Sequence, residues 1–418
     1  MDRRKSVWAV SLILALGFLV NYIDRGNISV AAPLIQAEFK FNPTRLGFLF
    51  SAFFLSYALM QVPAGFLVDR FKLKWLYAAA FVWWSVANAG IALAGGFLSL
   101  LVLRVLLSAG EAISLPASSK LLATAFPEQE RGIANGILDS GYKFGPAVGV
   151  LFGGFFLAHH GWRMLFVVTG IGGLIWLVPW FWIADSIGSQ RHVPLPQAAS
   201  VAVAPPGSRH APLSAVEILS SFRAWGTFIG NFCGGYVWYL MLSWMPTYLV
   251  TARHMNLARM GALGSSLFAV TGITSIASGL VTDRMLRKGW SPGKVRLGFM
   301  VTGLSFSMFL VPAGFAATER GAMAYLFVAF AAYGLFSCNI WAVTQSIAGP
   351  PNIGRWAGMQ NLVGNLGGVA SSALTGWIVT VTGSFNWAFG IAAGVMLFGI
   401  LIYVFVVRSL DPIKLVEA

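Results

Sequence analysis

The chain is a succession of long apolar runs broken at short polar intervals. "VWAVSLILALGFLV" at 7–20 and "LFGILIYVFVV" at 397–407 are typical of them. Runs of 18 or more predominantly apolar residues recur throughout, and each suits a helix crossing about 30 Å of hydrocarbon. Pro, Gly and charged residues divide them into about twelve expected spans. The first six cover 8–34, 44–68, 74–94, 97–120, 131–158 and 162–184; the second six cover 222–250, 259–282, 294–314, 321–348, 354–381 and 385–408. Between the sets, 185–220 contains "RHVPLPQAASVAVAPPGSRHAPL", whose Pro, Ala and Ser content predicts a flexible linker. The expected architecture is an all-α membrane protein with an N-terminal six-helix bundle (1–184), a cytoplasmic linker (185–220) and a C-terminal six-helix bundle (221–418).

Composition agrees. Of the 418 residues 57% are hydrophobic and 10% charged, with a mean hydropathy of +0.74, against about 25% charged in soluble domains. The net charge of +14 would suit a nucleic-acid partner, but the charges sit in short loops between spans. Nineteen Lys and Arg fall on the side of the N-terminus and six on the other (Lys40, Arg45, Arg163, Arg253, Arg259, Arg320). Such a bias predicts that both termini and the linker are cytoplasmic, in a multi-pass protein of the plasma membrane. The segment after "MDRRKSVW" is too long for a signal-peptide core and lacks a cleavage site, so it counts as a first helix. Cys233 and Cys338 lie in apolar spans and imply neither a disulfide framework nor a metal site.

A repeat is visible. "GFLVDRFKLKW" at 65–75 is answered by "GLVTDRMLRKG" at 279–289, the two Asp-Arg pairs standing 214 residues apart. "PEQERG" at 127–132 is echoed more weakly by "PPNIGRWAG" at 350–358. An offset of six spans gives both halves one orientation, as in parallel repeats with a substrate site between them near the midplane.

Few ionisable groups lie inside the spans: Asp24, Arg25, Arg104, Glu111 and Lys143, with Asp139 near the start of span 5. A charge at a helix centre costs at least about 2.5 kcal/mol, so these face a polar cavity or each other. Arg104 and Glu111 are seven residues apart, on one helix face but displaced about 10 Å along the axis. They either form a structural ion pair with stretched side chains, or Glu111 accepts a proton and thereby changes its bond to Arg104. Asp24 and Arg25 are neighbours about 100° apart on the helix, so they point to different targets. One split has Arg25 facing the central cavity and Asp24 facing a helix of its own half. Lys143 has three open readings: it meets a second carboxylate or a sulfonate on the substrate, it snorkels, or it pairs with Asp139 four residues earlier. Span 11 places Asn361 and Asn365 one turn apart, suited either to substrate recognition or to bonds between helices.

The Asp-Arg loop after span 2 resembles the cytoplasmic loop motif of the major facilitator superfamily. Five further stretches look like its anion:cation symporter branch: "NYIDRGNISVAAP", "RVLLSAGEAISLPASSKLLATAFPEQERGIANGI", "SWMPTYL", "GMQNLVGNLGGV" and "TGWIVTVTGSFNWAFGIAAG". The resemblance covers nearly the whole chain outside the linker. It implies import of an organic anion by proton symport through alternating access, with a proton-independent exchanger or facilitator as the alternative. Arg25 would then hold the substrate carboxylate, Arg104 would be a further cation of the substrate site, Glu111 would couple protons beside Arg104, and Asp24 would be a second protonation site or only orient Arg25; if Lys143 also reaches the cavity, three cations favour a dianion over a monoanion. Tyr22 and Tyr57 match cavity hydroxyls, and Trp341 and Asn361 match cavity positions of the second half. Tyr142 stands where sugar-acid members often carry Gln, and Lys143 departs from the branch pattern.

Asp69, Arg70, Asp283 and Arg284 are expected to latch helix ends on the cytoplasmic side as gates. No metal cluster, nucleophile elbow or phosphate loop is visible, so an enzyme is not expected, nor is a cofactor. The expected partners are the bilayer, one small organic anion and protons, without nucleic acid and with the chain acting as a monomer. Sugar acids, aromatic carboxylates and small dicarboxylates all remain open.

Overall fold

The computed structural model describes residues 3–126, 128–188, 213–349 and 352–411. Most of the expected linker, with Arg191 and Arg209, lies outside these residues, as does Lys414. Among the described residues no strand occurs. The helices are α1 (Arg3–Phe39), α2 (Pro43–Arg70), α3 (Leu73–Gly90), α4 (Phe97–Glu111), α5 (Ser114–Ala125), α6 (Glu128–Gly173) and α7 (Leu177–Gly188). After 189–212 follow α8 (Ala215–Ser220), α9 (Phe222–Thr251), α10 (Leu257–Arg287), α11 (Pro292–Ser307) and α12 (Leu310–Phe315). The last four are α13 (Glu319–Ser337), α14 (Ile340–Ala348), α15 (Ile353–Thr382) and α16 (Asn386–Leu401).

Among the described residues, ten helical stretches are long and apolar enough to cross a membrane. One of them, Ile133–Ile183, is two spans joined at Gly161, whose φ of 73° and ψ of 169° break the helix in a region that favours glycine. The arms on either side run in opposite directions along α1. Gly141 lies against Ala15 and Gly149 against Ile23, so the first arm is parallel to α1. On the second arm and beyond, Thr169 meets Asn27 and Trp176 bonds the Ile13 carbonyl, so the order is reversed. The turn is pinned to the end of α1, where Glu38 receives Arg163 and the Trp162 indole, each at 2.7 Å. The 30-residue α9, largely buried, supplies span 7.

The second half repeats the plan. Asn231 bonds the Gln360 carbonyl, Tyr239 bonds Asn365, and Trp244 bonds the Ser372 carbonyl. The numbers rise together, so α9 runs parallel to α15 as α1 does to the first arm of α6. The repeat extends to helix starts: Asn42 caps α2 through Arg45 N and Asn256 caps α10 through Arg259 N, at 3.0 and 2.8 Å. A side-chain oxygen at this position satisfies a backbone N–H that a helix start leaves unpaired.

Spans 4 and 10 share a further feature. α4 stops at Glu111 and α5 resumes at Ser114; α13 stops at Ser337 and α14 resumes at Ile340. At both breaks the backbone tightens to bonding three residues back, Ile113 to Gly110 and Asn339 to Phe336. Each break thus sits in mid-span, beside a polar side chain.

The halves meet along two antiparallel seams, α2 with α15 and the first arm of α6 with α10. They are closed at the end remote from the start of α1. There Thr44 bonds Thr380 and Ser51 bonds the Val369 carbonyl, both at 2.8 Å. A Cβ on Gly47 would stand 2.6 Å from the Ser372 carbonyl, and one on Gly261 2.8 Å from Gly154 Cα. Five helical turns away on the same faces, Gly65, Gly358, Gly136 and Gly279 have open space before them. The molecule is therefore shut at one end of its seams and parted at the other.

Candidate functional site

The charged residues of α1 divide between two environments. Arg25, 5% exposed, turns toward α2 and α4, while Asp24, wholly buried, turns toward α3 and the second arm of α6. This is the split expected from their 100° separation.

Arg25 Nε donates to Glu111 Oε2 at 2.7 Å, and Nη1 donates to the Tyr22 hydroxyl at 3.2 Å. The Tyr22 and Tyr57 rings lie 4.6 and 4.4 Å from its Cζ, with Phe53 at 5.2 Å. A guanidinium offers five N–H donors, and two of its nitrogens are engaged here. Glu111 reaches this position because α4 ends at it, which lets its side chain cross to α1.

The sequence expectation that Glu111 bonds Arg104 is corrected. Seven residues of helix hold the two about 10 Å apart along the axis, and the carboxylate pairs with Arg25 on another helix instead. Arg104 is 2% exposed, lies over the Phe53 ring at 4.5 Å, and among the described residues its Nε and Nη1 have no partner.

Asp24 Oδ1 accepts from Asn88 Nδ2 at 2.7 Å and from Asn27 Nδ2 at 3.4 Å. The same two amides also reach Thr169 Oγ1, at 3.1 and 2.8 Å, and that hydroxyl donates to the Leu165 carbonyl. Among the described residues Oδ2 of Asp24 has no partner. Asn27, Asn88 and Thr169 were not singled out from the sequence. The available signal was Asn88, the one amide in the largely apolar "WWSVANAG", together with Asn27 one turn after Asp24.

Lys143 is buried and donates to Ser337 Oγ at 3.0 Å, across to the second half. It does not pair with Asp139, which is exposed. Tyr142 stands edge-on to Tyr22 with centroids 4.5 Å apart and stacks on Trp238 at 5.7 Å. Tyr239 packs on Phe54 at 4.2 Å and donates to Asn365, which in turn bonds the Asn361 carbonyl at 2.8 Å. Asn361 is thus near this group; Trp341 on α14 is 41% exposed, and among the described residues no hydrogen bond or ring contact joins it to the group. Of the expected gate residues, Asp69 pairs with Lys120 of its own half at 2.9 Å, and Arg70, Asp283 and Arg284 are exposed.

The arrangement is a midplane cluster of aromatic rings, hydroxyls and amides around Arg25 and Lys143, contributed by both halves. Its cations can hold acid groups, and its carboxylates can exchange protons against those cations.

Comparison with known proteins gives the following. The family model for the Major Facilitator Superfamily matches residues 14–372. The hexuronate transporter of Bacillus subtilis (strain 168) is 31% identical over 407 residues, covering 97% of this chain and 94% of the relative. A probable sulfoacetate transporter of Cupriavidus necator is 31% identical over 398 residues, covering 94% of this chain and 92% of the relative. Among solved structures, a bacterial homologue of the human lysosomal transporter Spinster, inward-facing and unoccupied, matches with a TM-score of 0.69 at 20% identity. That match covers 96% of this chain and 95% of the other.

Proposed function

This chain belongs to the Major Facilitator Superfamily, and we propose that it is a secondary active transporter importing an organic anion together with protons by alternating access. The observation that carries this reading is the carboxylate of Glu111 seated on Arg25. A guanidinium in a dry site is the group best suited to hold a carboxylate or sulfonate, and here a protein carboxylate already occupies it. Substrate and ionised Glu111 compete for one cation. A proton on Glu111 removes its charge and frees Arg25, so proton and substrate favour each other's binding, as linkage requires.

Asp24 is a second proton site in this reading. It is held by neutral amides rather than by a guanidinium, so its protonation leaves no paired cation stranded. Arg104, buried and without partners on two of its nitrogens, supplies further positive potential beside both carboxylates. The relatives named for hexuronate and sulfoacetate carry acids of the kind such a site would hold.

The basic excess on the side of the N-terminus assigns that side to the cytoplasm. The open ends of the seams then face the cytoplasm, with Arg25 and Glu111 paired as they would be after substrate and proton have left. Asp69, Arg70, Asp283 and Arg284 lie at this open end and would latch it when it closes.

The test is uptake into proteoliposomes of purified protein, with a panel of radiolabelled sugar acids, with and without an inward proton gradient. Accumulation that requires the gradient, accompanied by alkalinisation outside, is the expected result. Equal uptake in both conditions would assign the chain to exchange or facilitated diffusion instead.

A further inference from the structure

A second first-half cation reaches the midplane without a carboxylate to meet it. Lys143 is 6% exposed, and its Nζ lies 4.8 Å from the Tyr142 ring centroid and 6.0 Å from that of Trp238. An ammonium carries three donors. Among the described residues Ser337 is its one hydrogen-bond partner, and no carboxylate comes within ion-pair distance. A lysine serving only to join helices has no need to keep a bare charge in hydrocarbon, where charge is costly.

The two mid-span breaks make the contrast plain. At the break in span 4, Glu111 is presented to Arg25; at the matching break in span 10, Ser337 is presented to Lys143. One first-half cation is met by a carboxylate and the other by a neutral hydroxyl. The two cations also belong to one site. From Arg25 Cζ to the Tyr22 ring is 4.6 Å, from Tyr22 to Tyr142 is 4.5 Å, and from Tyr142 to Lys143 Nζ is 4.8 Å, which together cap their separation.

We propose that Lys143 binds a second acid group, carboxylate or sulfonate, at the far end of the substrate, so that the chain carries an organic dianion held between Arg25 and Lys143. This rests on the reading of Arg25 as the carboxylate site. Charge balance points the same way. Buried within the spans, three cations (Arg25, Arg104, Lys143) face two carboxylates (Asp24, Glu111), while Asp139, one turn before Lys143, is exposed, so one buried cation is in excess. A proton on Glu111 raises the excess to two, which a dianion cancels and a monoanion does not. Tyr142 and Trp238 wall the ammonium with ring faces, which favours a compact acid group over a hydroxylated one.

The experiment is isothermal titration calorimetry on the purified full-length protein with matched acids differing by one terminal acid group. The pairs are D-gluconate and D-glucarate, propionate and 3-sulfopropionate, and benzoate and terephthalate. Wild type should bind at least one diacid about 10-fold or more tightly than its monoacid. Lys143→Gln should remove that preference by weakening the diacid about 10-fold more than its monoacid, and a thermal midpoint close to that of wild type shows that the variant is folded. Lys143→Arg and Ser337→Ala should both keep the preference. Equal weakening of both members of a pair by Lys143→Gln overturns the proposal. So does a loss of preference in Ser337→Ala matching that in Lys143→Gln, which would make the contact a latch between halves. Monoacid binding that depends on Arg25 without any diacid preference sinks the proposal and leaves the transport reading standing. Binding of no acid sinks both.

Discussion

Arg25 and Glu111 are joined by a 2.7 Å bond between two helices of one half, while Arg104, on the same helix face as Glu111, contacts neither carboxylate. Breaking a buried pair by removing one partner costs about 3–5 kcal/mol, because the other charge is left uncompensated. Protonation and substrate binding are two ways of breaking this pair that leave no such charge behind. The site therefore has a reason to take up both ligands together, and each partner can be tested separately.

Glu111→Gln keeps the shape and removes the charge. It should leave Arg25 permanently available, so that counterflow of substrate between two loaded compartments persists. Accumulation driven by a proton gradient should fall to the level of equilibration. Measuring both in the same proteoliposomes separates coupling from binding, and intact gradient-driven accumulation would remove Glu111 from the coupling role.

Arg25→Ala should abolish substrate binding in calorimetry and also lower the thermal midpoint, since Glu111 then lies buried without a cation. Adding Glu111→Gln to Arg25→Ala should restore much of the lost stability, on the order of the 3–5 kcal/mol of a broken buried pair, and none of the binding. Near-normal affinity in the single variant would contradict the assignment of Arg25.

Asn88→Ala tests whether Asp24 carries a proton or only orients Arg25. The amide donates to Asp24 Oδ1 at 2.7 Å, and such a bond favours the ionised carboxylate. Its loss favours the protonated form, so the pH midpoint of uptake should move upward. A pH profile identical to wild type, with KM raised at every pH, would instead make Asp24 a positioning residue for Arg25.

Much of this was legible in the sequence, and the limits have physical causes. Apolar runs of span length and the 214-residue echo of Asp69-Arg70 by Asp283-Arg284 foretold the helices and the repeat. The divergence of Asp24 and Arg25 followed from helix geometry alone. The partner of Glu111 did not follow, because it depends on which helices touch, and Arg25 lies 86 residues away. The breaks at Ala112 and Cys338 were hidden for a different reason: Gly110 and Pro116 flank the first and Gly334, Ser337 and Asn339 the second, but prolines also stand inside unbroken helices of this chain (Pro33, Pro63, Pro246), so such residues do not single out a break. Lys143 was recognised as unusual, but whether it would meet Asp139 or Ser337 could not be told from one helix.

The seams carry a prediction about the state not seen here. On each of the four seam helices a glycine pressed against the other half is matched by one in open space five turns away: Gly47 by Gly65, Gly154 by Gly136, Gly261 by Gly279, and Gly376 by Gly358. At 3.6 residues per turn both members of each pair share a face. Because α2 and α15 run antiparallel, closing the open end brings Gly65 toward Gly358, as Gly47 now meets Gly376; by the same symmetry Gly136 approaches Gly279. In a Cys233→Ala, Cys338→Ser background, the double variants Gly65→Cys with Gly358→Cys and Gly136→Cys with Gly279→Cys should form disulfides on mild oxidation. Backbones this close allow a Cα separation within the roughly 4.4–6.8 Å that a disulfide needs. Cross-linked protein should lose transport and regain it on reduction. If neither pair cross-links while a control pair Thr44→Cys with Thr380→Cys does, at positions whose hydroxyls already meet at 2.8 Å, the halves do not close by meeting on these faces, and the glycine spacing has another origin.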